Sequence, residues 1–330
     1  MRGIKVLVTG CSGFLGGWLS EQLLERGAVV VGVDRQYPTG SHIHRHAENM
    51  RLITADLEDF EATADLIGAN QIQFVYHLAA QSLVGEAARD PLGTFRSNIE
   101  GTWNILEACR RWREKWPQFK GIVVTSSDKA YGDGPALPYT EDMPMSGRFP
   151  YDVSKSCADL ISRSYFYSFR LPVCVTRFGN LYGGGDLHWS RVVPGTIKHA
   201  LFNEPPLIRS DGTPVRDYIY VKDAAAAALM IGERMLVDDS IYGESFNASN
   251  GKPIDVLSLV KLILKLCDKA ALEPRILNTA SLEIQKQYLS SEKIRNILGW
   301  KPAFELDTGL GETIGWYADY FRQAAHEKGE

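Results

Sequence analysis

The chain has 330 residues, 45% apolar and 23% charged, an ordinary globular composition long enough for one large or two unequal domains. Lys plus Arg number 36 against 40 Asp plus Glu, so the net charge of −4 excludes a general attraction to nucleic acid or an anionic membrane, and any anion must be held by a local site. Cys11, Cys109, Cys157, Cys174 and Cys267 are scattered without Cys-x-x-Cys spacing and no run of about 18 apolar residues occurs, so neither a disulfide framework nor a membrane span is expected and the chain reads as cytoplasmic.

Ile4 to Val8 is a β-branched run that predicts a strand; Thr9-Gly10-Cys11-Ser12-Gly13-Phe14-Leu15-Gly16-Gly17 follows, then an amphipathic helix to Gly27. Strand, glycine turn and helix in this order are the context of a dinucleotide fingerprint, here spaced Gly-x-x-Gly-x-x-Gly. Gly10 permits the tight turn, Gly13 lets backbone approach a pyrophosphate and Gly16 lets the helix pack closely, with Ser12, Phe14 and Leu15 completing the expected cofactor contacts. The second strand, Ala28 to Val33, ends in Asp34, about 20 residues beyond the glycines, where an acid accepts both ribose hydroxyls and favours NAD over NADP. Arg35 beside it is the residue that could pair with a 2′-phosphate instead.

His42, His44 and His46 alternate in a polar stretch. With no acidic or cysteine partner nearby in sequence and no rigid support, they read as a surface loop, and no metal is expected. Arg51 to Thr54 predicts a third strand ending at Ala55-Asp56-Leu57, where Asp56 can bond an adenine amino group or cap the next helix. A fourth, Gln73 to Leu78, runs into Ala79-Ala80-Gln81-Ser82, small residues that let a flat ring or ribose lie against the backbone, and His77 reads as a satisfied core histidine. From Pro91 to Arg111 an apolar stripe of Leu92, Phe95, Ile99, Trp103, Leu106 and Cys109 predicts one helix, in which the Asn98 amide can brace the catalytic strand. The Arg111, Trp112, Arg113, Lys115, Trp116 cluster reads as a solvated helix end rather than a nucleic-acid site.

The run Gly121 to Thr125 opens into Ser126-Ser127-Asp128-Lys129-Ala130-Tyr131, and after a Gly/Pro-rich loop Pro150 begins a helix carrying Tyr151 and Lys155 four residues apart on one face. A lysine cation there is expected to pull the phenol down from its usual pKa of about 10, making Tyr151 a general base for an alcohol. Val173 to Arg177 predicts a sixth strand, so alternating strands and helices from residue 4 to 177 indicate a doubly wound parallel α/β sheet of Rossmann type. Phe178-Gly179-Asn180-Leu181-Tyr182-Gly183-Gly184-Gly185-Asp186 breaks that regularity; an alanine-rich helix after Asp223 and an amphipathic one from Asp255 to Lys269 follow. Residues 1–180 with about 216–248 are expected to form the NAD-binding domain, and 181–215 with 249–330 a smaller C-terminal α/β substrate-binding domain.

With the glycine fingerprint, Asp34, His77-Leu78-Ala79-Ala80, Asn98, Ser127, Tyr151-x-x-x-Lys155 and Arg177-x-Gly-Asn180 in this order, the chain resembles the extended short-chain dehydrogenase/reductase family acting on nucleotide sugars, from Ile4 to about Phe321 and including Leu298-Gly299-Trp300-Lys301-Pro302. Asp128-Lys129, where other members have small residues or Asp-Glu, resembles its CDP-glucose 4,6-dehydratase branch. The resemblance implies bound NAD, a nucleotide-diphosphate sugar substrate and a homodimer. It implies Tyr151 as base, Lys155 holding nicotinamide ribose, Ser127 bonding the emerging ketone, Asp128 as acid and Lys129 where the glutamate base would stand. Leu57, Leu78, Ala79, Ala80 and Asn98 would line the cofactor. Ser82 and Asn180 would touch substrate, and Arg216, Arg191 and Arg209 are the candidates for its diphosphate. A 4-epimerase of the same family, or a GDP-, dTDP- or UDP-sugar 4,6-dehydratase, is the alternative.

Overall fold

The computed structural model describes residues 1–134, 136–279 and 284–327. Six strands form where β-branched runs occur: β1 (Lys5–Thr9), β2 (Val29–Asp34), β3 (Arg51–Thr54), β4 (Phe74–His77), β5 (Gly121–Ser127) and β6 (Val173–Phe178). With the strand Ser245–Ala248 at one edge they make a seven-stranded sheet, ordered Ser245–Ala248, β6, β5, β4, β1, β2, β3, and every pairing is parallel. The order reverses between β1 and β4, so a crevice for ligands opens at the carboxyl ends of those two strands.

Alternation along β1 shows how both sheet faces are covered. Val6 and Val8 pack into one apolar cluster with Leu19 and Leu23 of α1 (Phe14–Glu25) and the alanines of the helix Val221–Met235. Leu7 points the other way, into a second cluster with Leu66, Ile105 and Leu106. The predicted helix from Pro91 to Arg111 is corrected: it divides into Pro91–Phe95, a π-helical turn Arg96–Glu100 and Gly101–Lys115. The wide turn shifts the face, so Leu106 and Cys109 are fully buried whereas Leu92 is 60% and Trp103 42% exposed. In the basic cluster at its end Arg111 meets Glu107 at 2.8 Å and Trp112 donates to the Ile72 carbonyl at 2.9 Å.

The histidine stretch is corrected too. His42–Asn49 is 3-10 helical and His42 is buried, its ring stacked on Trp18 at 3.8 Å between centroids. Beyond β6, short ladders replace the large sheet: β7 (Asn180–Tyr182) pairs with Tyr218–Tyr220, and Val215–Arg216 lies between Ile254–Asp255 and Lys286–Gln287. Asp255 caps the helix Val256–Leu266 by accepting from the Ser258 N–H at 2.8 Å. Among the described residues no helix is long and apolar enough to cross a membrane. Residues 280–283 and 328–330 of the expected second domain lie outside the described residues.

Candidate active site

At the end of β1 the backbone turns through Gly10 at φ +69°, and a Cβ there would meet Ala79 backbone at 2.8 Å. Gly16 sits so close to the turn that a Cβ would lie 2.1 Å from the Gly10 carbonyl oxygen, so helix α1 starts against the turn rather than beside the strand. No side chain caps α1. The Gly13 N–H is held by the Gly10 carbonyl at 3.1 Å, so the N–H groups of the first helical residues, Phe14 and Leu15, are the ones suited to an anion. Asp34 closes β2 with acceptors only: the Ser12 N–H and hydroxyl reach one carboxylate oxygen at 3.2 and 2.7 Å, and the Arg35 N–H reaches the other at 2.8 Å. The Arg35 guanidinium is drawn to Glu58 at 3.6 Å, which competes with any ribose phosphate. These features fit NAD without a 2′-phosphate.

Other expected cofactor residues take positions set by hydrogen bonds. The Leu78 and Ala79 N–H groups both donate to the Thr9 hydroxyl at 3.1 Å, which fixes the strand end leading to Ala80. His77 is the core histidine expected, bonded to Thr9 at 2.8 Å and Thr102 at 3.0 Å; burial, then the Lys155 charge, lowers its pKa to about 3. Asp56 accepts from the Glu58 N–H at 3.0 Å, while Asp59, not Asp56, caps the helix Phe60–Ala69. Leu57 is a core residue of the second cluster. Asn98 does not brace the catalytic strand. Its amide oxygen accepts from the Gln81 N–H at 2.7 Å, and its nitrogen donates at 2.9 Å both to the Gln81 carbonyl and to the Ser154 hydroxyl, tying the loop after β4 to the helix Pro150–Phe169. With its amide so engaged, Asn98 is a positioning residue.

Across the crevice, β5 delivers Ser127, Asp128 and Lys129 in a tight 3-10 turn. The Ser127 hydroxyl donates to Asp128 at 2.9 Å and also hydrogen-bonds Tyr151. Lys129 Nζ lies 3.2 Å from both Asp128 oxygens and 3.4 Å from the Asn180 amide oxygen. Burial lowers the Lys129 pKa, against the Asp128 charge, with Arg216 the cation that assists. The expectation for Tyr151 is corrected. Burial pushes the phenol up to about 12, outweighing the nearby Arg191 charge and the Ser127 hydrogen bond, because Lys155 directs its ammonium to the Thr125 carbonyl at 3.0 Å. Lys155 itself is lowered to about 8 by burial. Asp152, next to Tyr151, is raised to about 6 by burial, with Lys129 opposing the rise.

The three arginines differ. Arg191 bridges Asp186 at 3.1 Å and the Ser82 hydroxyl at 3.0 Å, and its charge acts on Tyr151, so it belongs to the site. Arg216 is buried, donating to its neighbour's carbonyl at 2.9 Å, with its charge acting on Lys129. Arg209 is exposed and bound to the Ser190 carbonyl, one residue from Arg191. Sequence reasoning misses Gln287. This fully buried residue accepts from Lys129 Nζ through its side-chain oxygen and donates from its nitrogen to the Asp128 carbonyl at 3.0 Å. It comes from a two-residue strand, Lys286–Gln287, with no local motif to mark it.

The sequence profile of the NAD dependent epimerase/dehydratase family matches residues 6–248. The chain belongs to that family. Its NAD dependence accords with the fit of the glycine turn and Asp34. Among curated relatives, the CDP-glucose 4,6-dehydratase of Salmonella typhimurium is 28% identical, over 97% of this chain and 92% of that protein. The UDP-glucuronate 4-epimerase of Thermodesulfobacterium geofontis is also 28% identical, over 94% and 95%. Among solved structures, the UDP-glucose 4-epimerase of Thermotoga maritima superposes with a TM-score of 0.86 at 26% identity, covering 96% of this chain and all of that one.

Proposed function

We propose that this family member is a nucleotide-sugar 4,6-dehydratase, with CDP-glucose as its substrate and CDP-4-keto-6-deoxyglucose as its product. The observation that carries this is the Asp128–Lys129 pair, buried beside Ser127 and Tyr151 and held by Gln287 and Asn180. Bound NAD supplies hydride exchange with the sugar, withdrawn at carbon 4 and restored at carbon 6. The chain's own groups move the protons. Burial holds a proton on Tyr151, so the phenol must first ionise; the phenolate then takes the proton of the 4-hydroxyl, while Lys155 orients the ribose and Ser127 donates to the oxygen that becomes a ketone. The ketone acidifies the hydrogen at carbon 5. The Asp128–Lys129 contact holds one proton between two sites 3.2 Å apart; moved from Nζ to the carboxylate, it leaves a free amine as base for carbon 5 and a carboxylic acid for the 6-hydroxyl. Burial, which lowers the lysine, favours its free-amine form.

We assign the diphosphate to Arg191 and Arg216, with Arg209 at the rim, and sugar contacts to Ser82 and Asn180. In this reading 1–180 with about 216–248 holds NAD and 181–215 with 249–330 holds the sugar nucleotide. A homodimer in the cytoplasm accords with five unpaired cysteines and with exposed Trp103, Leu160, Tyr167 and Phe169 on the two long helices Gly101–Lys115 and Pro150–Phe169; light scattering tests it. The 4-epimerase relatives favour a second reading, in which Tyr151 acts alone and the Asp128–Lys129 pair has no task. Incubation with CDP-, dTDP-, UDP- and GDP-glucose, followed by mass spectrometry, separates them. Loss of water from the CDP sugar is expected; unchanged mass with inverted carbon 4 would establish the epimerase.

A further inference from the structure

Away from the cleft, Glu21 of α1 meets His42 and His46 of the 3-10 segment. One ligating atom from each lies within 4.8 Å of the others. His42 Nε2 is 2.6 Å from one Glu21 oxygen and His46 Nε2 is 3.5 Å from the other. The second distance is too long for a strong hydrogen bond, and His46 Nε2 is shielded from solvent without a hydrogen-bond partner. A tetrahedral ion bonded at about 2.0–2.1 Å sets its ligands roughly 3.3 Å apart, so ligand atoms now as much as 4.8 Å apart must draw together by side-chain rotation.

The support that the sequence does not reveal is present. His42 is 2% exposed, stacked on Trp18 with 22° between the rings, and Trp18 is fixed by donating to the Gly184 carbonyl at 2.7 Å. Glu21 and His46 are 25% and 23% exposed, so the cluster lies near the surface although His46 Nε2 itself is covered. The neighbouring cation, Arg45, has its guanidinium 5.7 Å from the Trp316 ring centroid. Two imidazoles and one carboxylate suit a divalent transition ion, with a fourth position left for water. We propose that Glu21, His42 and His46 form a binding site for a divalent transition metal ion of the zinc class. The ion joins the helix that starts at the glycine turn to the segment that follows Asp34. Coordination through His42 Nε2 places the ring hydrogen on Nδ1, which among the described residues has no hydrogen-bond partner to forbid it.

Chelator-treated full-length protein is titrated with Zn²⁺, Ni²⁺ and Co²⁺ by calorimetry, with Mg²⁺ as control, and Co²⁺ is followed in the visible. One equivalent of transition ion is expected to bind, with cobalt absorption bands of a four- or five-coordinate site and a rise in Tm. His46→Ala and Glu21→Gln should each weaken binding at least tenfold while keeping the circular dichroism and the metal-free Tm of the parent. Absence of saturable binding, or binding unaltered in both variants, would overturn the site.

Discussion

Two ion pairs, one beside the turn Asp128–Tyr131 and one within it, differ in how they are held. Arg177 and Asp159 have no exposed side-chain surface and meet through two bonds of 2.7 and 2.9 Å. The remaining donors of Arg177 reach the Tyr131 hydroxyl at 2.6 Å, the Glu141 carbonyl at 3.1 Å and Ser245 at 3.1 Å. Burial alone would lower the pKa of this guanidinium, but the Asp159 hydrogen bonds and charge raise it. Lys129 and Asp128 meet only through 3.2 Å contacts, Lys129 keeps 17% exposure, and burial lowers its pKa. Geometry thus separates a pair that locks Tyr131 and β6 in place from one that can pass a proton.

That difference can be broken experimentally. Asp159→Ala leaves a buried guanidinium unpaired and is expected to cost about 3–5 kcal/mol in urea unfolding; a loss under about 1 kcal/mol would show that the Arg177 pair is no lock. Lys155 gives a pH signature. Its folded pKa of about 8 lies below its ordinary 10.5, so between those values the unfolded chain binds more protons and stability rises with pH. Below pH 8 the buried ammonium costs on the order of 3 kcal/mol. Lys155→Met should therefore unfold at higher temperature than the parent at pH 7, with the gap closing towards pH 10.5; a gap independent of pH contradicts the assignment.

Lys129→Met should reduce dehydration on the order of a hundredfold while carbon 4 oxidation persists and urea stability changes little. Equal loss of both half-reactions would mean that the pair only shapes the site. The smallest expected effect sharpens the comparison: Gln287→Leu frees the lysine from its amide partner and should lower kcat about tenfold with little change in KM. A rise in KM at constant kcat would make Gln287 a binding residue instead.

How much of this was legible depends on whether the determining contact is local. The glycine turn, the Asp34 terminus of β2 and the Tyr151–Lys155 spacing are encoded within a few residues, and each takes its expected place. The direction of the Tyr151 shift was not legible, because spacing cannot report that both groups are buried and that Lys155 turns to Thr125. Gln287 reaches the site only through the pairing of Lys286–Gln287 with Val215–Arg216, a long-range register. Asn98, in the π-helical turn, likewise bonds Gln81 and Ser154, partners that its own helix sequence does not reveal. Glu21 meets His42 across an interval in which β2 intervenes, so the histidine stretch alone looked solvated.

The most direct test follows hydrogen through the sugar. CDP-glucose deuterated at carbon 4 is mixed with unlabelled CDP-glucose and the products are analysed by NMR and mass spectrometry. The account predicts deuterium at carbon 6 of the molecule that carried it at carbon 4, in a product that has lost water; deuterium remaining at carbon 4, or passing to solvent or to unlabelled sugar, contradicts it.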